Sequence, residues 1–275
     1  TVDNDLPYTD CSPGFGSVAK YVATSTLEAG LDVKSMAETS TKVFILEVMG
    51  RHAGWIAAAS CLAASNQGDP PHIILLPEVP FEKGKFIAQV KQTVKSNGYC
   101  VIVASEGTKT KVGKFLADSG LTDAFGHKQL GGVAPVISSM ISKIGLKNHW
   151  AVADYLQRSA RHIASKTDLD QAYAVGEHAV KLAVAGKTAV MPIIKRISDS
   201  PYKWKIATAP LKNIANVEKS MPRKFISKNG FEITSAGRKY LSPLIQGEAP
   251  TNFKFGIPEV ASLKKTFVKK KLKEF

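Results

Sequence analysis

Short apolar runs rich in β-branched residues alternate with stretches of helical periodicity along most of this 275-residue chain. Val43-Phe44-Ile45-Leu46, Ile73-Ile74-Leu75-Leu76-Pro77 and Tyr99 to Ala104 have the length and unbroken apolar character of strands buried on both faces. Residues 12–41 set Val18, Val22 and Leu27 with Ala19, Ala23 and Ala29 at three- and four-residue steps, and Gly30 suits a C-cap. Further helical patterns cover 54–64, 86–95, 133–144 and 169–185, with short strands expected at 150–152 and 189–194. This alternation predicts an α/β fold with a mostly parallel sheet, right-handed crossovers and flanking helices. Ligands of such sheets bind beyond the carboxyl ends of the strands. Met49-Gly50-Arg51, Pro77-Glu78 and Glu106 all fall at those ends.

An apolar share of 44% is that of a globular chain with a real core. No run of about eighteen apolar residues exists and no basic-then-apolar leader opens the chain, so no membrane partner is expected. Cys11, Cys61 and Cys100 lie far apart without metal-type spacing, which points to buried thiols in a reducing compartment, the cytoplasm. A net charge of +14 fits a nucleic-acid binder, a site that handles several phosphates, or a solvated basic surface. Aromatic and basic residues do not interleave as a single-strand binder requires, so nucleic acid is not expected. After residue 210, prolines, lysines and isolated aromatics dominate. This reads as an extended segment wrapping the body, with a helix at 259–273 whose solvated face carries Lys264, Lys265, Lys269, Lys270, Lys271 and Lys273; a phosphate-rich or subunit partner is the alternative.

Four segments carry chemistry. Thr1-Val2-Asp3-Asn4-Asp5 sets two carboxylates two residues apart; in an extended stretch both face one site, one to take a proton and the other to hold a metal or position a group. An Asx-turn before Pro7 is the structural alternative. Glu47-Val48-Met49-Gly50-Arg51 leaves a buried strand, and its arginine either meets a ligand or pairs with Glu47. Ala104-Ser105-Glu106-Gly107 ends another strand on a glutamate, which either binds or faces water. The fourth is Asp154-Tyr155-Leu156-Gln157-Arg158-Ser159. Gly186-Lys187-Thr188 is no P-loop, because Lys181 stands where that motif needs glycine and a helix precedes it instead of a strand.

In this order the four segments resemble the phosphofructokinase family, marked by T-I-D-N-D and E-V-M-G-R segments and a Q-R element that grips the sugar phosphate. The resemblance covers residues 1–210. It implies two interleaved α/β domains: 1–12 ending the donor-side domain with the catalytic loop, 13–155 binding the sugar phosphate, 156–210 returning to the donor side, and 211–275 as a C-terminal extension. In the family an α/β region with a glycine-rich donor loop precedes the point matching Thr1, so the chain corresponds to the C-terminal two-thirds of such a protein.

The implied activity is transfer of a phosphoryl group to the 1-hydroxyl of fructose 6-phosphate, a step of glycolysis. By resemblance, Asp3 accepts the hydroxyl proton, Thr1 bonds near the moving phosphoryl, and Asp5 organises the site through magnesium. Arg51 stabilises charge on the phosphoryl oxygens, where an arginine fork serves several oxygens at once. Met49 and Gly50 meet the sugar, Glu106 accepts from its hydroxyls, and Tyr155 and Arg158 bind the 6-phosphate. Two further basic groups of the family reach that phosphate from a neighbouring subunit. By spacing they fall on Lys42 and His149, with Lys147 competing for the second role, and they imply a homodimer or homotetramer with a shared active site. His162 and Lys166 are read as following Arg158 on one helix, lining the pocket or facing solvent.

Tyr8 to Ser17 and Tyr155-Leu156-Gln157-Arg158-Ser159-Ala160 resemble the pyrophosphate-dependent branch of the family, as does the long C-terminal segment. Pyrophosphate is therefore the expected donor and the reaction is expected to be reversible. An ATP-dependent relative and a non-catalytic sugar-phosphate-binding subunit are the alternatives.

Overall fold

A computed structural model of the chain describes residues 2–122, 128–130, 132–267 and 269–270. Helix α1 (Phe15–Met36) leads to strand β1 (Val43–Val48), helix α2 (Trp55–Ala59) with a 3-10 turn at Ser60–Ala63, β2 (Ile73–Leu75), α3 (Lys83–Asn97) and β3 (Cys100–Ser105). An antiparallel ribbon of β4 (Asp118–Thr122) and β5 (Lys128–Leu130) precedes α4 (Val133–Ser142), β6 (Asn148–Val152), the single turn α5 (Leu156–Ser159) and α6 (Lys166–Val184). The hairpin of β7 (Val190–Asp199) and β8 (Tyr202–Pro210) follows, then α7 (Ser235–Leu241) and the short pair β9 (Phe253–Lys254) and β10 (Ile257–Pro258).

The central sheet has the order β2-β3-β1-β6, with every pair parallel. Its strands alternate between two cores, as the period of two requires. Val43 and Ile45 join Phe86, Val90, Ile137 and Ile141 from α3 and α4. Leu46 and Val48 join Phe15, Val18 and Val22 of α1 and Ile56 of α2. Each such fully buried side chain contributes about 1.5–3 kcal/mol.

Helix α1 runs through Gly30, which lies against Pro70, so this glycine is a packing residue and not the expected C-cap. Its first turn takes its cap from elsewhere in the chain. Buried Asp168 of α6 accepts from the Gly14 amide at 2.7 Å, the Ser17 amide at 3.0 Å and the Ser17 hydroxyl at 2.5 Å. A carboxylate at a helix N-terminus answers both the free N–H groups and the helix dipole.

The segment after β8 lies against the body. Ile74 on edge strand β2 donates to the Phe231 carbonyl at 2.9 Å, and Trp55 packs edge-on to Phe225 with ring centroids 6.1 Å apart. Two further expectations are corrected. Residues 259–267 form no helix: Val260, Leu263 and Phe267 are all exposed, and a lone helix of this length gains too little without a face to bury. Lys269 and Lys270 continue without helix, while Lys271 and Lys273 lie outside the described residues. His162 and Lys166 do not share a helix with Arg158, because α5 stops at Ser159 and Ser165 caps a new helix by accepting from the Asp168 amide. Strand β8, in which Tyr202, Trp204 and Ile206 alternate with Lys203 and Lys205, lies beyond the strands expected from the apolar runs.

No helix of the described residues is long and apolar enough to cross a membrane. All three cysteines are free and buried, and burial pushes the Cys11 and Cys61 thiols up to about 12.

Candidate active site

Strand β1 ends at Val48, and the chain turns through Met49-Gly50-Arg51 above the carboxyl end of the sheet. Gly50 has φ +125, and a Cβ there would stand 2.7 Å from the Ala53 carbonyl oxygen, so only glycine fits. Strand β3 runs beside β1 and ends in Ser105-Glu106-Gly107. The Glu106 amide donates to the Val48 carbonyl at 2.9 Å, and the Ser105 hydroxyl donates to the Gly50 carbonyl. At Gly107 the two turns touch: a Cβ there would lie 2.0 Å from the Arg51 carbonyl oxygen and 2.6 Å from that of Gly50.

This contact brings the Glu106 carboxylate to Arg51. Burial raises the Glu106 pKa, opposed by the Arg51 charge and the Gly50 N–H that it accepts, and assisted by the like charges of Asp3 and Glu47. Asp3, Gly50, Arg51 and Glu106 thus converge although more than a hundred residues separate the first from the last. Arg51 is not committed to Glu47. The Glu47 carboxylate turns to the start of α4, where it accepts from the Ala134 amide at 2.8 Å and from the Val133 amide.

The loop that carries Asp3 and Asp5 is a turn and not an extended strand, since Asn4 has φ +59. The alternation argument for Asp3 and Asp5 therefore fails. Asp3 acts on Glu106 and Asp5 on Lys219, while Oδ1 of each is buried. Asn4 holds the turn: fully buried, it accepts from the Ser12 amide at 3.0 Å and donates to the Tyr240 hydroxyl at 3.2 Å. Thr1 lies outside the described residues.

Two more anchors secure the loop. Lys219 donates through its amide to the Asp5 carbonyl at 2.6 Å and through Nζ to the Thr9 and Asp10 carbonyls at 3.1 and 3.0 Å; burial lowers its pKa to about 8. Asp10 takes Arg196 Nε on both oxygens at 3.0 and 2.9 Å, and the guanidinium lies between the Tyr202 and Tyr240 rings. Sequence reasoning missed Asn4, Asp10, Arg196 and Lys219. Their partners are up to 236 residues away, and no local pattern announces such pairs.

Beside the turns, a cleft of about 320 Å³ is lined by Glu47, Val48, Met49, Glu106, Gly132, Val152 and Asp154. Tyr155 and Arg158 stand exposed at its β6 side, the guanidinium 4.3 Å from the tyrosine ring centroid. Stacking fixes the guanidinium plane and leaves its N–H fork open to an anion. Glu78, at the end of β2, is already engaged by the Gly54 and Met221 amides at 3.0 Å each. Lys42 and His149 do not join the cleft of this chain. Lys42 precedes β1 and donates to the Ala37 carbonyl at the end of α1; His149 pairs with Phe44 near the start of β6. Both lie at the opposite end of their strands from Met49 and Asp154. Lys147 donates to the Ser40 hydroxyl at 2.8 Å.

Gly107→Ala is expected to lower turnover by at least ~10²-fold, the cost of misplacing reacting groups by about 1 Å. Steady-state kinetics beside a melting curve check this; unchanged turnover would show that Gly107 does not set the Arg51 position.

The phosphofructokinase family profile matches residues 1–183. The chain is 64% identical over 276 aligned residues to a pyrophosphate–fructose 6-phosphate 1-phosphotransferase from Halomonas elongata, covering 100% of this chain and 66% of that protein. It is 57% identical over 273 residues to the protein of that name from Methylococcus capsulatus, covering 99% of this chain and 65% of the relative. The crystal structure of a pyrophosphate-dependent phosphofructokinase from Marinobacter aquaeolei matches with a TM-score of 0.89 and 58% identity, over 99% of this chain and 65% of that one. The chain therefore spans just under two-thirds of the length of the curated relatives it matches. With its parallel sheet, its strand-end turns and these matches, the chain belongs to the phosphofructokinase family.

Proposed function

We propose that this chain carries the acceptor site and catalytic aspartate loop of a pyrophosphate–fructose 6-phosphate 1-phosphotransferase. The observation that carries the reading is the meeting of the Gly50-Arg51 turn with Glu106-Gly107 at the carboxyl ends of β1 and β3, where the Asp3 charge also acts on Glu106. Relatives of 57% and 64% identity that bear this name favour pyrophosphate over ATP as donor.

Phosphoryl transfer needs alignment, charge neutralisation and an acceptor for the hydroxyl proton. In this reading the sugar lies in the cleft with its 6-phosphate toward Tyr155 and Arg158 and its 1-hydroxyl toward Asp3. Glu106 accepts from a sugar hydroxyl, Asp3 takes the proton from the 1-hydroxyl, and Arg51 donates to the phosphoryl oxygens as charge moves onto them. The Asp3 charge raises the Glu106 pKa, and Arg51 opposes this.

A magnesium ion fits the aspartate loop. The buried Oδ1 of Asp5 accepts no hydrogen bond from the described residues. Magnesium takes one or two carboxylates and fills its remaining positions with water and substrate phosphates. Asp5 would hold the ion, which when bound neutralises phosphate charge. An assembly with a shared site also suits the chain: Lys42 and His149 lie away from their own cleft, and edge strand β6 exposes Trp150 and Val152. Three buried thiols fit the cytoplasm.

The test is phosphorylation of fructose 6-phosphate by the complete protein with pyrophosphate and ATP in parallel. Turnover with pyrophosphate alone supports the proposal. Turnover with ATP alone replaces the donor, and turnover with neither favours a non-catalytic subunit.

Glu106 accepts from the sugar fully only when ionised. Because burial holds its pKa above the ordinary 4.5, equilibrium affinity for fructose 6-phosphate should fall on acidification before an exposed glutamate would protonate. Glu106→Gln is expected to weaken binding by about 10–100-fold, the range of a hydrogen bond to a charged group, and to abolish that acid limb. An acid limb kept in the variant would assign the titration to another group.

A further inference from the structure

The Met49-Gly50-Arg51 turn leaves β1, and the Tyr155–Arg158 arm leaves β6. The proposed reaction needs both on one sugar phosphate, yet they belong to different strands. Gln157 joins them. It is 2% exposed, and its amide is used at both ends: Oε1 accepts from the Met49 amide at 3.3 Å, and Nε2 donates to the Asp154 carbonyl at 2.8 Å. With both ends occupied inside the protein, Gln157 is turned away from a ligand although it neighbours Arg158 in the motif.

The backbone at the other end of this bridge is strained. Asp154 has φ +39, a left-handed conformation uncommon for residues other than glycine, though aspartate tolerates it better than most. Such a residue persists when its surroundings over-determine it. Here the Ala153 amide donates to the Glu47 carbonyl at 2.9 Å on one side, and Gln157 holds the Asp154 carbonyl on the other. The bend sends Tyr155 and Arg158 outward over the cleft instead of continuing along β6.

We propose that Gln157 is a positioning residue that sets the distance between the Met49–Arg51 turn and the sugar-phosphate arm, and so sets affinity for the acceptor. The inference builds on the phosphotransferase reading above. Only an amide fills this place. Glutamate keeps the shape and the acceptor but cannot, when ionised, donate to a carbonyl; leucine keeps approximate bulk and supplies neither bond.

The test uses Gln157→Leu and Gln157→Glu in the complete protein, with two readouts. Amide hydrogen exchange over residues 47–53 should quicken about tenfold in Gln157→Leu, as loss of one or two hydrogen bonds of ordinary net strength implies. Gln157→Glu, which retains the acceptor for Met49, should change exchange there less than leucine does. In steady state the KM for fructose 6-phosphate should rise about tenfold or more in both variants, while the KM for pyrophosphate stays within about twofold. A purely structural glutamine would instead shift both KM values and kcat together with the melting midpoint, and that result would overturn the assignment. Wild-type exchange in Gln157→Leu would overturn it as well. Should the wild type phosphorylate fructose 6-phosphate with neither donor, the activity reading falls, and the exchange result alone decides whether Gln157 holds the turn.

Discussion

On the proposed mechanism, Asp3→Ala in the complete protein is expected to lower kcat by roughly 10²–10⁴-fold, the span of a lost general base. The KM for fructose 6-phosphate stays within about threefold, because proton acceptance is used in the transition state and little in ground-state binding. Asp3→Asn gives the same loss, since the amide keeps the shape but has no comparable basicity. The loop survives both changes, because its anchors are Asn4, Lys219 and the Asp10–Arg196 pair and not Asp3. Kinetics with saturating pyrophosphate, beside a melting curve, check the result. A kcat within about tenfold of wild type would remove Asp3 from the role of base.

The second large effect is on stability. Arg196→Ala costs about 3 kcal/mol, the lower end for breaking a buried pair, because both side chains retain 13% exposure. The loss comes from the carboxylate left behind. Burial already raises the Asp10 pKa, and the guanidinium is the main influence opposing that rise. Arg196 also donates to the Tyr240 carbonyl at 2.9 Å and stacks on two tyrosines, so the truncation removes packing too. Asp199→Ala removes the other carboxylate of the cluster, whose side chain is 37% exposed, and is expected to cost far less, because solvent screens that contact. Denaturant midpoints compare the two variants. Equal costs would show that the inner pair contributes no more than a surface contact.

The Arg196 contacts tie the aspartate loop to a distant hairpin. The aspartate loop contains two residues with left-handed backbone besides glycine, Asn4 and Tyr8. Its shape is imposed by β7, which supplies Ile194 and Arg196, and by the C-terminal segment, which supplies Lys219 and Tyr240. Loosening that frame displaces Asp3 and Asp5 without touching them.

The alternation of buried strands and helices, the parallel sheet, and the placement of Met49–Arg51 and Glu106 at strand ends were legible in the order of the residues. Those properties follow from local pattern: an unbroken apolar run such as Val43–Leu46 favours a strand covered on both faces, and the chain direction then places the turn that follows. The sequence also marked Asp3, Arg51, Glu106, Tyr155 and Arg158 as residues of interest through motif resemblance. What each of these touches depends on packing between distant segments. That Glu47 caps α4 and leaves Arg51 to Glu106 depends on a contact 87 residues away in the chain. That Gln157 faces inward while Arg158 faces outward depends on how α5 seats against the Met49 amide. The expected helix at 259–273 failed for the converse reason: its apolar residues met no surface in residues 259–267, and periodicity without burial does not hold a helix. Local pattern fixes which conformation a segment prefers, whereas packing between distant segments fixes which polar groups are engaged and which remain open to a ligand.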